Sequence, residues 1–175
     1  MTFDKRRDLG LANERMPELR ADSTDIAAFM EAGHKAIIYQ GWQDPSTNAG
    51  PAIDYLARLS REHGKISDSV RMFMVPGMYH CGGGPGVDVF GGSNQKPIAP
   101  GADPSRDMLW ALIDWVEKGR APGSIVGAKV VPGQRGFTRR LCPFPQVARY
   151  DGIGPETDAR SYDCAISPAL ERLLD

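Results

Sequence analysis

The run Val70-Arg71-Met72-Phe73-Met74-Val75 and its abrupt end at Pro76 constrain this chain more than any other feature. A short run this apolar predicts a buried strand, and a proline, which has no N–H to give a sheet ladder, ends it. Gly77-Met78-Tyr79-His80-Cys81 follows and leads into Gly82-Gly83-Gly84-Pro85-Gly86. That composition lets backbone approach backbone closely and offers little to fill a core. His80 is therefore predicted to stand on a loop at the carboxyl end of a buried strand, where open α/β sheets gather ligands and catalytic groups.

The surroundings of that strand indicate the fold class. Lys35-Ala36-Ile37-Ile38-Tyr39-Gln40 reads as another short buried strand, ending at Gly41-Trp42-Gln43-Asp44-Pro45. Between the two, Ala52, Ile53, Leu56 and Leu59 share one face of a helix within Asn48 to Glu62, closed by His63-Gly64. Strand, helix, strand makes one right-handed βαβ unit, with Asp44 and His80 on the same edge of a parallel pair. The chain is expected to be α/β.

Other segments are read from period and punctuation. Asp22 or Ser23 is placed to cap a helix carrying Ile26, Phe29 and Met30, with Gly33 to stop it. Ser105 to Lys118 is the clearest helix, with Met108, Leu109, Leu112, Ile113, Trp115 and Val116 expected inward and Gly119 at its end. Ile125 to Val131 and Phe137 to Leu141 read as short strands on either side of Pro132-Gly133-Gln134-Arg135-Gly136. Met1 to Arg20 shows no sustained period and reads as extended or loose. Gly86 to Asp103 reads as a long surface loop, and Cys142 to Asp175 as a loop-like tail. This divides the chain into a loose amino-terminal segment, 1–22, and one α/β unit, 23–175.

Several function classes are disfavoured. The formal net charge is -1 with no long single-sign run, which argues against a nucleic-acid surface or a polybasic membrane patch. No stretch approaches the roughly 18 continuous apolar residues of a membrane span, and the polar Met1 to Arg7 lacks the apolar core of a signal peptide. Cys81, Cys142 and Cys164, with His34, His63 and His80, form no metal-ligand spacing. With an odd cysteine count, two could pair in an oxidising compartment, and the third would be free or would need a partner outside the chain. The glycine run Gly82 to Gly86 opens no periodic helix, and no Gly-x-x-x-x-Gly-Lys-Ser/Thr occurs, so it is not read as a phosphate cradle.

Asp44 before Pro45 is by itself a turn former, and a lone loop histidine is usually structural. Together, at the ends of consecutive strands, they fit the acid and base of a hydrolase triad, in which the carboxylate holds the imidazole tautomer and stabilises the imidazolium. The third member is missing. No Gly-x-Ser-x-Gly occurs, and the nearest candidates, Gly92-Ser93 and Gly123-Ser124, lack the spacing that strains a serine onto a strand-to-helix turn; hydrolysis by this chain alone would point to Ser46, Ser93 or Ser124.

Three segments resemble one family. They are Gly41-Trp42-Gln43-Asp44-Pro45, Met74-Val75-Pro76-Gly77-Met78-Tyr79-His80-Cys81-Gly82-Gly83-Gly84-Pro85-Gly86, and Leu141-Cys142-Pro143-Phe144-Pro145-Gln146-Val147-Ala148-Arg149-Tyr150. In this order they are similar to the carboxyl-terminal part of the tannase and feruloyl esterase family, which includes plastic-monomer esterases, over about Ser23 to Cys164. The resemblance implies the carboxyl-terminal portion of an α/β-hydrolase with an incomplete sheet. It implies hydrolysis of phenolic-acid esters, with Asp44 as triad acid and His80 as base. It further implies a disulfide between Cys142 and Cys164, and for Cys81 a cysteine partner beside a nucleophilic serine on upstream sequence.

The chain also departs from the family. Ser46-Thr47-Asn48-Ala49 stands where two apolar residues and prolines are common. The serine elbow, its oxyanion donor and the lid domain that binds calcium and phenolic substrate have no counterpart in this sequence. The expectation is thus an esterase piece with no cofactor of its own, whose partners are a phenolic ester and an upstream hydrolase segment. The complete protein is expected to be secreted or periplasmic, without a signal peptide in this chain. The alternative is a non-catalytic remnant that binds a partner chain through its exposed sheet edge.

Overall fold

The computed structural model describes residues 2–91, 103–133 and 136–174. Its centre is a parallel pair of strands, β1 (Ala36–Gly41) and β2 (Val70–Val75), in register from Ala36 opposite Val70 to Gly41 opposite Val75. Successive side chains of a strand face opposite ways, and β2 feeds two cores. Val70, Met72 and Met74 pack with Ile53, Leu56 and Leu59 of helix α3 (Gly50–His63), which crosses between the strands. Phe73 and Val75 pack on the other side with Met78, Val87, Phe90, Met108, Ala111, Ile125 and Leu141. Burial on both faces explains why β2 reads as a nearly continuous apolar run.

The second core is closed by helix α4 (Met108–Lys118) and an antiparallel hairpin of β3 (Ile125–Lys129) with β4 (Phe137–Leu141). Asp107 caps α4 by accepting from the Leu109 and Trp110 N–H groups at 3.0 and 3.1 Å, so the helix starts later than Ser105. Its inward set is also narrower than expected. Met108, Ala111, Asp114 and Trp115 are buried, whereas Leu109 and Val116 are exposed on the far face.

At the carboxyl end of α4 the Asp114 carboxylate takes both Arg120 Nε at 2.8 Å and Arg120 Nη2 at 2.6 Å. Lys118 Nζ lies 2.9 Å away. Arg120 first, and Lys118 with it, hold the Asp114 carboxyl down at about 2. A carboxylate depressed in the fold contributes stability that is complete above its ordinary value of about 3.9 and is lost as pH falls toward the folded value. Asp114→Asn is therefore expected to flatten the acid loss of stability between about pH 4 and 2. Urea midpoints measured across that range check it, and parallel curves for the two proteins would contradict it.

Three other segments differ from the sequence reading. Within the amino-terminal 1–22, Lys5–Arg15 forms helix α1, capped by Asp4 accepting from Arg7 N–H at 2.8 Å, with none of its residues buried. Local capping makes this helix without an apolar face to announce it. Helix α2 (Ala27–Glu31) is only five residues long, and neither Asp22 nor Ser23 caps it, although it does end before Gly33. Of the expected surface loop after Gly86, Val87 and Phe90 are core residues, and Val89 pairs with Ala128 of β3. The remainder of that loop, 92–102, lies outside the described residues, as do Gln134 and Arg135.

The tail is not loop-like. β5 (Gln146–Tyr150) and β6 (Tyr162–Ile166) form an antiparallel pair, followed by the short helix α5 (Pro168–Glu171). Cys142, just after β4, is disulfide-bonded to Cys164 in β6, with their Cα atoms 5.6 Å apart. No helix among the described residues is long and apolar enough to cross a membrane.

Candidate active site

The carboxyl ends of β1 and β2 deliver two loops that touch. Gly41 allows this contact: a β-carbon there would land on the Met78 and Tyr79 carbonyl groups. Gln43 then links the loops, its N–H donating to the Met78 carbonyl at 3.2 Å and its Oε1 accepting from Gly77 N–H. Further on, Gly77 and Gly86 cross so closely that a β-carbon on either would overlap the other, and Gly86 N–H donates to the Gly77 carbonyl at 2.9 Å. Side chains at these positions would hold the crossing segments apart. Cys81, directly after His80, has φ 57°, a left-handed conformation that costs a residue with a β-carbon on the order of 1 kcal/mol.

Asp44 and His80 meet at this edge, with His80 Nδ1 2.8 Å from Asp44 Oδ2. The Asp44 side chain is 2% exposed and that of His80 57%. Each Asp44 oxygen has two partners. Oδ1 accepts from the Ser46 and Thr47 N–H groups at 2.8 and 2.9 Å, and Oδ2 accepts from Gln40 Nε2 at 3.0 Å as well as from the imidazole. Burial alone would raise the carboxyl's pKa, but the Thr47 N–H, His80, the Ser46 N–H and Gln40 outweigh it and hold Asp44 well below the usual carboxylate range. Asp44 thus stays ionised above that range, and whatever stability its contacts give is lost only in strong acid.

A carboxylate can only accept, so the proton of a neutral His80 ring sits on Nδ1 and the lone pair on Nε2. Nε2 has no hydrogen-bond partner among the described residues. An exposed imidazole oriented this way can remove a proton from a group brought to Nε2. No serine hydroxyl among the described residues hydrogen-bonds it. Ser124 Oγ accepts from Arg140 Nη1 at 3.2 Å, Ser46 contributes its backbone N–H to Asp44, and Ser93 lies outside the described residues.

A cavity of about 480 Å³ is bounded by Trp42, Pro76, Pro85, Phe137 and Tyr162 and by neither Asp44 nor His80. A substrate must touch the base that works on it, so this cavity is not assigned to the reacting bond. Among the described residues no three His, Cys, Asp or Glu side chains gather to hold a metal. Two positioning side chains escaped the sequence reading, Gln40 and Gln43. Gln40 could have been found as a polar residue ending an apolar strand; for Gln43 no local signal exists.

Comparison with known proteins gives the family of the chain. Residues 2–165 match the family described as Tannase and feruloyl esterase. The chain is 40% identical over 151 residues to mono(2-hydroxyethyl) terephthalate hydrolase of Piscinibacter sakaiensis, covering 85% of this chain and 22% of that protein. It is 37% identical over 147 residues to probable feruloyl esterase B-2 of Aspergillus fumigatus, covering 80% and 28%. The crystal structure of an esterase from Aspergillus oryzae superposes with a TM-score of 0.81 at 32% identity, over 94% of this chain and 34% of that one. The chain thus spans about a fifth to a third of the length of these relatives. With the matched family extending through both loops, the strand pair and the disulfide-bonded tail, the chain belongs to the tannase and feruloyl esterase family.

Proposed function

We propose that this chain supplies the acid and base of a serine carboxylesterase acting on esters of phenolic acids, with the nucleophile and oxyanion donors on sequence outside it. The observation that carries the reading is the 2.8 Å contact between the buried Asp44 carboxylate and the exposed His80 ring. In this reading Nε2 of His80 takes the serine proton as Oγ attacks the ester carbonyl, and Asp44 stabilises the imidazolium. The proton passes to the departing alkoxide, leaving an acyl-enzyme, and a water repeats the cycle to release the acid. No step requires a cofactor held by this chain.

The sheet supports the incompleteness of the site. A two-stranded parallel sheet is not an independently stable unit, and β1, although apolar from Ala36 to Tyr39, is only half-buried from Ala36 to Gln40. β1 pairs with no other strand among the described residues, which leaves an edge for an upstream hydrolase strand. Cys81, beside His80, is where the family resemblance implies a disulfide to the cysteine beside the serine. Such bonds suit an exported protein. The same edge favours a second reading, in which the chain binds a partner without catalysis.

A serine-directed fluorophosphonate and the esters methyl ferulate and methyl gallate separate these readings. The chain alone is expected to show no labelled serine and no hydrolysis above buffer. Joined to the nucleophile-bearing segment of a relative, it is expected to turn over. Hydrolysis by the chain alone that disappears in His80→Ala would place the nucleophile within this sequence and overturn the proposal. A joined protein that folds, labels at its serine and still does not turn over would favour the second reading.

A further inference from the structure

The loop that carries His80 is held in an unusual way. From Tyr79 to Gly86 no residue is buried, so packing anchors only its ends, at Met78 and Val87. A stretch with four glycines loses much backbone freedom on ordering, and something other than a core must fix it. Lys129, the last residue of β3, reaches across and donates from Nζ to the Gly84 carbonyl at 2.7 Å and to Asp88 Oδ2 at 2.8 Å. The same Asp88 oxygen accepts from Gly83 N–H at 3.0 Å. Gly83 in turn accepts at its carbonyl from Tyr79 N–H at 3.4 Å, one residue before His80. The Lys129 and Asp88 side chains are only 15% and 18% exposed, so water competes little with these charge-assisted bonds.

The support behind the clamp is firm. The Asp88 and Val89 N–H groups both donate to the Ala128 carbonyl at 3.1 and 3.0 Å, and Ala128 N–H returns a bond to Val89 at 2.8 Å. Ile125 and Leu141 of the hairpin are buried in the second core. We propose that Lys129 and Asp88 are positioning residues for His80, fastening the glycine loop to the β3–β4 hairpin so that the imidazole stays on Asp44 with Nε2 presented. The inference rests on the acid–base reading of Asp44 and His80. Neither residue touches the reacting atoms.

Long-range proton–nitrogen spectra of the ¹⁵N-histidine-labelled chain test it. Once the pH is raised until the ring signals no longer change, each neutral ring reports its tautomer. His80 is expected to carry its proton on Nδ1. His63, whose Nε2 faces the Thr24 carbonyl at 2.7 Å, is expected to carry it on Nε2 and serves as an internal control. In Lys129→Met the His80 nitrogens are expected to move toward the average of the two tautomers. Gly83 amide exchange should speed up roughly tenfold, the size of effect that loss of a charge-assisted hydrogen bond produces. His63 should not change, and Lys129→Arg should restore the His80 signature. Asp88→Asn is expected to shift the same signals and serves if Lys129→Met does not fold.

A His80 signature that survives both variants overturns the clamp alone, even if melting falls, because a merely structural residue does that. Loss of the His63 signature together with that of His80 in both variants means general unfolding and likewise overturns the positioning role. A wild-type His80 without its proton on Nδ1 overturns the acid–base reading on which the inference stands.

Discussion

Asp44→Asn is expected to lower kcat for methyl ferulate by roughly 10⁴-fold in the esterase assembled from this chain and a nucleophile-bearing segment, with a much smaller change in KM. The carboxylate accepts the Nδ1 proton and so dictates that Nε2 is the free base. An amide of the same shape can turn its NH₂ toward Nδ1, which moves the ring proton to Nε2 and removes the base without moving the backbone. It also removes the negative charge that stabilises the imidazolium formed as the serine attacks. The Ser46 and Thr47 N–H groups remain to hold the other oxygen of the side chain, so the loss falls on the chemical step. His80→Ala is expected to cost about as much, and the two losses should not add, because acid and base act as one unit. Initial rates at saturating ester check this. A kcat within tenfold of wild type in Asp44→Asn would show that another acceptor orients His80.

The second large effect concerns stability. Removing the Cys142–Cys164 bond, with both cysteines changed to serine, is expected to destabilise the fold by about 3 kcal/mol on the chain-entropy argument for a loop of this size. The two positions are separated by 22 residues. Spread over a chain of this length, that loss corresponds to a fall of about 10 °C in Tm. The β5–β6 pair has no core of its own: Val147, Tyr150 and Ile166 are exposed large side chains, and no residue of either strand is buried. The amides of β5 and β6 should therefore exchange faster first, ahead of those of β2, as a local rather than global opening. Thermal melts with amide exchange read both parts. An unchanged Tm with unchanged exchange in β5 would show that strand pairing alone anchors the tail.

The legible part of the fold was that in which burial repeats at a fixed period. Ile53, Leu56 and Leu59 mark the inward face of α3, and Val70 to Val75 is apolar on both faces because a core lies on each side. Where burial follows no period the sequence was silent or misleading. Val87 and Phe90 are core residues in a stretch that contains glycine, proline and polar neighbours, brought inward by one bridge to Ala128. Leu109 and Val116 are as apolar as Met108 and Trp115, and only the position of the second core decides which of them turn inward. The strand Gln146–Tyr150 carries few apolar residues, and its pairing partner begins at Tyr162, too far along the chain for any local pattern to register.

The sequence by itself determined that Asp44 and His80 follow consecutive parallel strands and so share one edge, because strand and turn signals are local and a βαβ unit has one hand. It also carried the family resemblance that paired Cys142 with Cys164. Only the tertiary structure decided that Nδ1 faces Oδ2, that Gln40 completes the carboxylate's partners, and that Lys129 reaches back across 45 residues to the Gly84 carbonyl. These are single contacts between remote residues. Each depends on where two loops and a hairpin come to rest, and a contact made once leaves no repeating trace in the order of the amino acids.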